Sequence, residues 1–150
     1  MTFAPLMSLM SLMPIAAAAP MPAVPVTASD GVLTVEVANV RAARGHVRID
    51  ICPQARFLKA GCPFSGNAPA VVGTTTVTVR DLPPGRYAVQ AYLDENDNKD
   101  VDRTFFGLPK EGVGFSNDPR IILSPPKFAD AAFTFTGAAQ TIRLKLRYFL

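Results

Sequence analysis

Five oxygen-bearing side chains stand at alternate positions in one short stretch: Asp94, Asn96, Asn98, Asp100 and Asp102. A hard cation such as Ca²⁺ gathers many oxygen ligands, and a tight loop can supply them by presenting one at every second residue. EF-hand-type loops do this at their first, third and fifth positions, add a backbone carbonyl at the seventh, and often hold a water through the ninth. Those five places fall here on Asp94, Asn96, Asn98, Asp100 and Asp102. Two others depart from the pattern. The sixth, normally Gly, is Lys99, and the twelfth, normally a bidentate Glu, is Phe105. No helical pattern flanks the stretch, so a standard EF-hand is excluded. What remains is a calcium-binding turn with non-standard closure, in which Glu111 or Asp118 could supply the last carboxylate if the following loop folds back. A solvated hairpin whose Asn and Asp side chains cap their own backbone accounts for the same residues. From Asp94 to Arg103 five acids face Lys99 and Arg103, a local net charge of −3 in a chain of +3.

No set of residues reads as catalytic. Ser116 lies in Gly-Phe-Ser-Asn, not in the small-residue elbow of a hydrolase serine. A Ser–His–Asp set would need His46, the one histidine, which sits outward-facing at a strand start. A glycosidase pair needs one shielded acid, whereas the acids here cluster as solvated ones do. The stripe Arg143, Lys145 and Arg147 has no interleaved aromatic residue on its face, which argues against nucleic acid. With no Trp, a stacking platform for sugars is not evident, although Tyr92 could contribute to one. The glycines of the loop after the acidic turn (Gly107, Gly112, Gly114) neither follow a strand nor open a helix, so they do not form a phosphate cradle.

The elements around the acidic turn read as strands. Residues 32–40 alternate, with Leu33, Val35 and Val37 on one face. Residues 45–52 alternate again, with Val47, Ile49 and Ile51 inward and His46, Arg48 and Asp50 outward; the two runs read as a hairpin through a turn at Arg41–Gly45. Residues 53–73, rich in Pro and Gly, read as an irregular connection. Residues 74–81 follow, with Thr75, Val77 and Val79 inward. A Leu-Pro-Pro-Gly turn then leads into residues 85–93, with Tyr87, Val89, Ala91 and Leu93 on one face. In the long loop, Phe105, Phe106, Leu108 and Phe115 are too apolar for free chain. They are expected to cover an open end of the core, with a partner-binding loop as the alternative. A short edge strand at residues 121–123, a helical turn within 126–131, a strand at 132–136 and a last strand at 141–149 complete the pattern. Six or seven short strands with half-polar faces predict an all-β fold: an antiparallel β-sandwich of about seven strands, immunoglobulin-like in its layering.

Cys52 and Cys62 are the two cysteines. The segment before Asp30 carries no charge, and its run LMSLMSLMPIAAAA resembles the apolar centre of a signal peptide. The positive start of such a segment is expected upstream of Met1. Cleavage is expected within the alanine run or after Ala28. This divides the chain into residues 1–28, a signal peptide and Pro-rich leader, and residues 29–150, one β-sandwich domain. Pro14 and Pro20 interrupt the apolar run, so no transmembrane segment is expected in the mature chain. The methionines at 7, 10, 13 and 21 all fall in the leader, which disfavours a copper-binding methionine box. Export places the protein in the periplasm or outside the cell, where an even cysteine count implies a Cys52–Cys62 disulfide of about 2–3 kcal/mol. A thiol metal site would have to recruit His46 and lacks ligand-pair spacing.

The ordered series LPPGRYAVQAYLDENDNKDVD, FFGLPKEGVGFSN and PPKFADAAFTF resembles the exported bacterial family called domain of unknown function 2141. The resemblance covers roughly Gly31 to Tyr148. It implies a secreted or periplasmic single domain of transthyretin-like or carboxypeptidase-regulatory-like type, and it brings no established activity. Members usually carry Gly where this chain has Asp97 and Lys99. The expected function is a non-enzymatic exported β-sandwich module whose acidic turn binds Ca²⁺ and whose long loop binds a partner, an envelope protein or a glycan. An envelope-associated structural or accessory protein without metal is the alternative, and a small hydrolase the third reading.

Overall fold

The computed structural model describes residues 18–22 and 31–150. The export segment and cleavage points expected in residues 1–28 lie outside the described residues, apart from 18–22, which are exposed and carry no regular secondary structure. Among the described residues no helix is long and apolar enough to cross a membrane.

Among the described residues eight strands build the domain: β1 (Leu33–Val40), β2 (His46–Cys52), β3 (Phe64–Pro69), β4 (Gly73–Val79), β5 (Gly85–Asp94), β6 (Val113–Phe115), β7 (Phe133–Phe135) and β8 (Gln140–Lys145). One 3-10 turn (Gln54–Arg56) and one helical turn, α1 (Phe128–Ala131), complete it. The strands form two sheets. The smaller runs β4-β1-β8; the larger runs β3-β2-β5-β6, with β7 on the other half of β5. The two sheets face each other as a β-sandwich. Between them Leu33, Val35, Val37, Val77, Leu144 and Leu146 meet Val47, Ile49, Ile51, Val89, Leu93 and Phe135 in one buried core. Each such side chain contributes about 1.5–3 kcal/mol through the water it sheds. The period-2 reading of these strands holds residue by residue.

Several local expectations are overturned. β1 and β2 are not a hairpin: β1 pairs with β4 and β8, whereas β2 pairs with β3 and β5. The turn between them crosses from one sheet to the other, and alternation cannot tell a hairpin from such a corner, because both strands turn an apolar face to the same core. β1 and β8 run parallel, so the sandwich is antiparallel except for this pair. The region 53–73 contains β3, a polar edge strand with Pro at its end, where no ladder donor is needed. Residues 121–123 form no strand, and Leu123 is 98% exposed. The long loop does not cover the core either: Phe105 is 99% and Phe106 87% exposed, and Leu108 also faces solvent. They stand on a small hairpin tied by Arg103 opposite Pro109 and by the Thr104 N–H to Leu108 O bond (2.8 Å).

The open side of the sandwich is closed differently. Past β8 the chain bonds β6 in both directions, Val113 N–H to Arg147 O (3.0 Å) and Arg147 N–H to Val113 O (2.8 Å). Gly114 permits this approach, since a Cβ there would come within 2.7 Å of the Lys145 carbonyl oxygen.

Candidate functional site

The inner face of the large sheet makes the core, so its outer face is free for other work. Register fixes what that face presents. Cys52 lies opposite Ala88, Asp50 opposite Gln90, Arg48 opposite Tyr92, and His46 opposite Asp94, with Phe115 and Val113 extending the middle rows on β6. Three zones follow along the strands.

At one end a disulfide joins Cys52 to Cys62, with Cα atoms 5.0 Å apart. The bridged loop carries Phe57 onto the sheet, where it packs edge-on against Phe115 (6.0 Å) and Phe128 (5.7 Å). With Cys52, Ala88 and Ala131 this makes a second, small core outside the sandwich. Gln90 Oε1 accepts the Leu58 N–H (2.6 Å) and fastens the loop to β5.

At the other end stands the acidic turn. Asp94 is fully buried. Its Oδ2 accepts Arg48 Nε (2.5 Å) and the Lys99 N–H (2.9 Å), and its Oδ1 accepts the Asn98 N–H (3.0 Å). Burial alone would push the Asp94 carboxyl up, but the Arg48 guanidinium and the two backbone amides hold it below the usual carboxylate range. The same bond raises Arg48. His46 Nδ1 lies 2.5 Å from Asp97 Oδ1, and Arg44 pairs with Glu95 (2.7 Å). The long loop folds back and brings Glu111. That buried carboxylate accepts the Glu95 N–H (3.0 Å) through Oε1 and the Asp102 N–H (3.2 Å) through Oε2, clamping both limbs of the turn. Desolvation raises the Glu111 carboxyl above its ordinary value. Asp118 goes elsewhere, accepting the Lys145 N–H (2.8 Å).

The five residues expected to ligate calcium do come together in this turn, and most of their side-chain oxygens have hydrogen-bond partners within it. Asn96 and Asn98 donate their amides to the two oxygens of Asp102 (2.7 and 2.8 Å). Asn96 Oδ1 accepts the Asn98 N–H (3.2 Å), Asn98 Oδ1 accepts the Asp100 N–H (2.9 Å), and Asp100 Oδ1 accepts the Val101 N–H (2.8 Å). Among the described residues no three His, Cys, Asp or Glu side chains converge as metal ligands would. Asp97 and Lys99 sit at φ +57° and +65°, the left-handed region that Gly tolerates without strain.

Between the two ends the outer face is uncovered. It forms a cleft of about 610 Å³, within the range of small-molecule sites. Asp50, Gln90 and Tyr92 make its floor; Leu58 and Lys59 of the disulfide loop, Lys99 and Asp100 of the acidic turn, and Leu108, Ile122 and Phe149 make its walls. Among the described residues the Asp50 carboxylate has no hydrogen-bonded or ionic partner, and desolvation raises it above its ordinary value. Tyr92 is pushed up to about 12, by desolvation first and then by Asp50, so its hydroxyl stays protonated.

The hydrolase set is not assembled. Ser116 Oγ donates to Ala131 O (2.5 Å) and accepts the Val89 N–H (2.9 Å). His46 is opposite Asp94, five residues along β5 from Val89, roughly 17 Å at strand rise. Sequence reasoning missed Arg48 and Asp50 as site residues. Both sit on the polar phase of β2, where a charge ordinarily reads as solvated, and only the register with β5 reveals their neighbours.

One family model matches the chain, over residues 35–143, and is described as "Uncharacterized protein conserved in bacteria (DUF2141)". No curated protein matches the chain, and no solved structure does. The match spans most of the sandwich, from β1 into β8, together with the whole acidic turn and every cleft residue but Phe149: the chain belongs to the bacterial family named domain of unknown function 2141.

Proposed function

We propose that this protein is a non-enzymatic, exported β-sandwich module that captures a ligand in the cleft on the outer face of its large sheet. The observation that carries this reading is the bracing of that face. A disulfide holds one wall and a buried ion pair holds the other, while about 610 Å³ between them stays open. A preformed concave site binds without the entropy loss of ordering its own walls. The disulfide supports export, since such bonds persist in oxidising compartments. The separation of Ser116 from His46 supports a binding role over hydrolysis. The partner is an envelope component, a glycan or a small molecule, met by the cleft and by the exposed hairpin of Phe105 and Phe106.

The acidic turn needs no ion in this reading. Arg48 and the turn's own amides fill the place a cation would take. Millimolar Ca²⁺ then leaves the melting temperature unchanged; a rise that Asp102→Asn abolishes would assign the turn to calcium instead, because a ligand of the folded state stabilises it. The cleft is tested by titrating the ¹⁵N-labelled protein with a fragment library and with envelope oligosaccharides. Shifts should gather on Asp50, Gln90, Tyr92 and Leu108, and ligands that consistently perturb another surface would refute the assignment.

A further inference from the structure

The floor of the cleft holds a carboxylate without a counter-ion among the described residues. Asp50 lies half-buried at the centre of the outer face, paired across the ladder with Gln90 and diagonal to Tyr92. Its neighbours on β2 do not serve it: Arg48 is committed to Asp94 and reaches toward Asp97 (3.5 Å). Gln90 has its oxygen on the disulfide loop, leaving only amide N–H groups to the cleft. The cations that line the cleft stand on its walls. Lys59 is in the disulfide loop, Lys99 in the acidic turn, and Arg103 donates to Gly107 O (3.2 Å); none of them pairs with Asp50. Desolvation is the cause that raises Asp50, with no cation contributing.

Each ligand class meets this floor differently. An anion would face a second negative charge at the floor and could pair only with the cations of the walls. A neutral apolar ligand would strip the remaining water from a carboxylate and give nothing in return. A cation supplies the missing charge, and its bond to the carboxylate is charge-assisted. The walls ask for an apolar body, since Leu58, Leu108, Ile121, Ile122 and Phe149 all border the space.

We propose that the cleft is a receptor for an amphipathic amine, its primary ammonium group paired with the Asp50 carboxylate beside Tyr92 and its apolar chain laid along the walls. This rests on the reading of the cleft as the binding site, and the two can fail separately.

The probes are n-octylamine, n-octanol and octanoate, alike in length and differing in the charge of the head group. Each is titrated at pH 7 into the full chain and into Asp50→Asn, with affinities taken from calorimetry and the location from ¹⁵N shifts. Octylamine should bind the parent at least about tenfold more tightly than octanol, the ratio a single charge-assisted bond supplies. Octanoate should bind most weakly. Asp50→Asn should bring octylamine down to the level of octanol while leaving octanol unchanged. Equal affinities for octylamine and octanol on the parent overturn the amine and keep the cleft. So does a preference for octanoate, which would put the wall lysines in charge. If none of the three shifts Asp50, Gln90 or Tyr92, the cleft itself fails as the binding site. The ranking of the three probes on the parent decides the matter even if the variant does not fold.

Discussion

Replacing Asp94 by asparagine should cost the domain about 3 kcal/mol, and the loss should vanish in acid. Asp94 is fully buried and serves three donors, while the Arg48 side chain is only 17% exposed. Removing one partner of such a pair leaves a shielded charge uncompensated, at a cost of about 3–5 kcal/mol. Two details favour the lower end: the asparagine keeps one acceptor oxygen, and Arg48 can still lean on Asp97 at 3.5 Å. For a domain of about 120 residues, 3 kcal/mol is a drop of roughly 12 °C in melting temperature. The sign of the pH dependence follows from the depressed carboxyl of Asp94. Its contribution is complete above the unfolded value of about 3.9 and disappears as pH falls through the lower folded value. Asp50 and Glu111 run the other way, because their carboxyls are raised; their contributions are present in acid and lost as pH rises through their folded values. Both proteins carry those two groups, and Asp94 is only the last of the causes that raise Glu111, so the difference between parent and variant reports Asp94 with that small coupling included. Urea denaturation of each at pH 7 and at steps down to pH 2 measures it. A difference below about 0.5 kcal/mol at pH 7, or one that persists unchanged to pH 2, would refute the buried clasp.

Three further substitutions test the neighbourhood. Lys99→Gly should stabilise the protein by up to about 1 kcal/mol, since the residue sits at φ +65° and only its backbone N–H is used; a melting temperature below the parent's would contradict that. Gly45→Ala should do the opposite, by at least about 2 kcal/mol, because φ is +67° and a Cβ would fall 1.8 Å from the Asp94 carbonyl oxygen; near-parent stability would mean the turn does not press on β2. Phe105→Ser combined with Phe106→Ser should change stability by no more than about 0.5 kcal/mol, whereas rings covering a core would cost about 3–5 kcal/mol each, and chemical denaturation separates the two.

The parts of this fold legible in the sequence are those governed by alternation. Val47, Ile49 and Ile51 point inward because their neighbours cannot, and no tertiary knowledge was needed to say so. Sheet membership was not legible. β1 and β2 have the same pattern whether they share a sheet or face each other across the core, and the five residues between them suit either path. The acidic turn was legible as a cluster of oxygen donors, but not as a self-satisfied one. That depends on Arg48 lying opposite Tyr92, one step from Asp94, and on Glu111 arriving from the long loop. The exposed Phe105 and Phe106 misled for a simple reason. Large apolar residues are usually buried, so an apolar loop reads as a lid; here a hydrogen-bonded hairpin holds both rings away from the core instead.

A sandwich of this size needs nothing on the outer face of its larger sheet. Its apolar side chains are already shared between the two inner faces, and the outward phase of β2 and β5 is polar enough to meet water. Structure nevertheless gathers there: a covalent bridge and a second small core at one end, a buried ion pair with a clamping glutamate at the other. Folding the sandwich does not explain why those two devices leave the middle rows open, or why the floor between them keeps a carboxylate unpaired among the described residues. Strain and unpaired polar groups persist where they serve something other than stability. Asp50 is the residue of that kind in this cleft. The Asp94 clasp is fully satisfied by comparison, and that difference is why ligand capture is assigned to the middle of the face and support to its end.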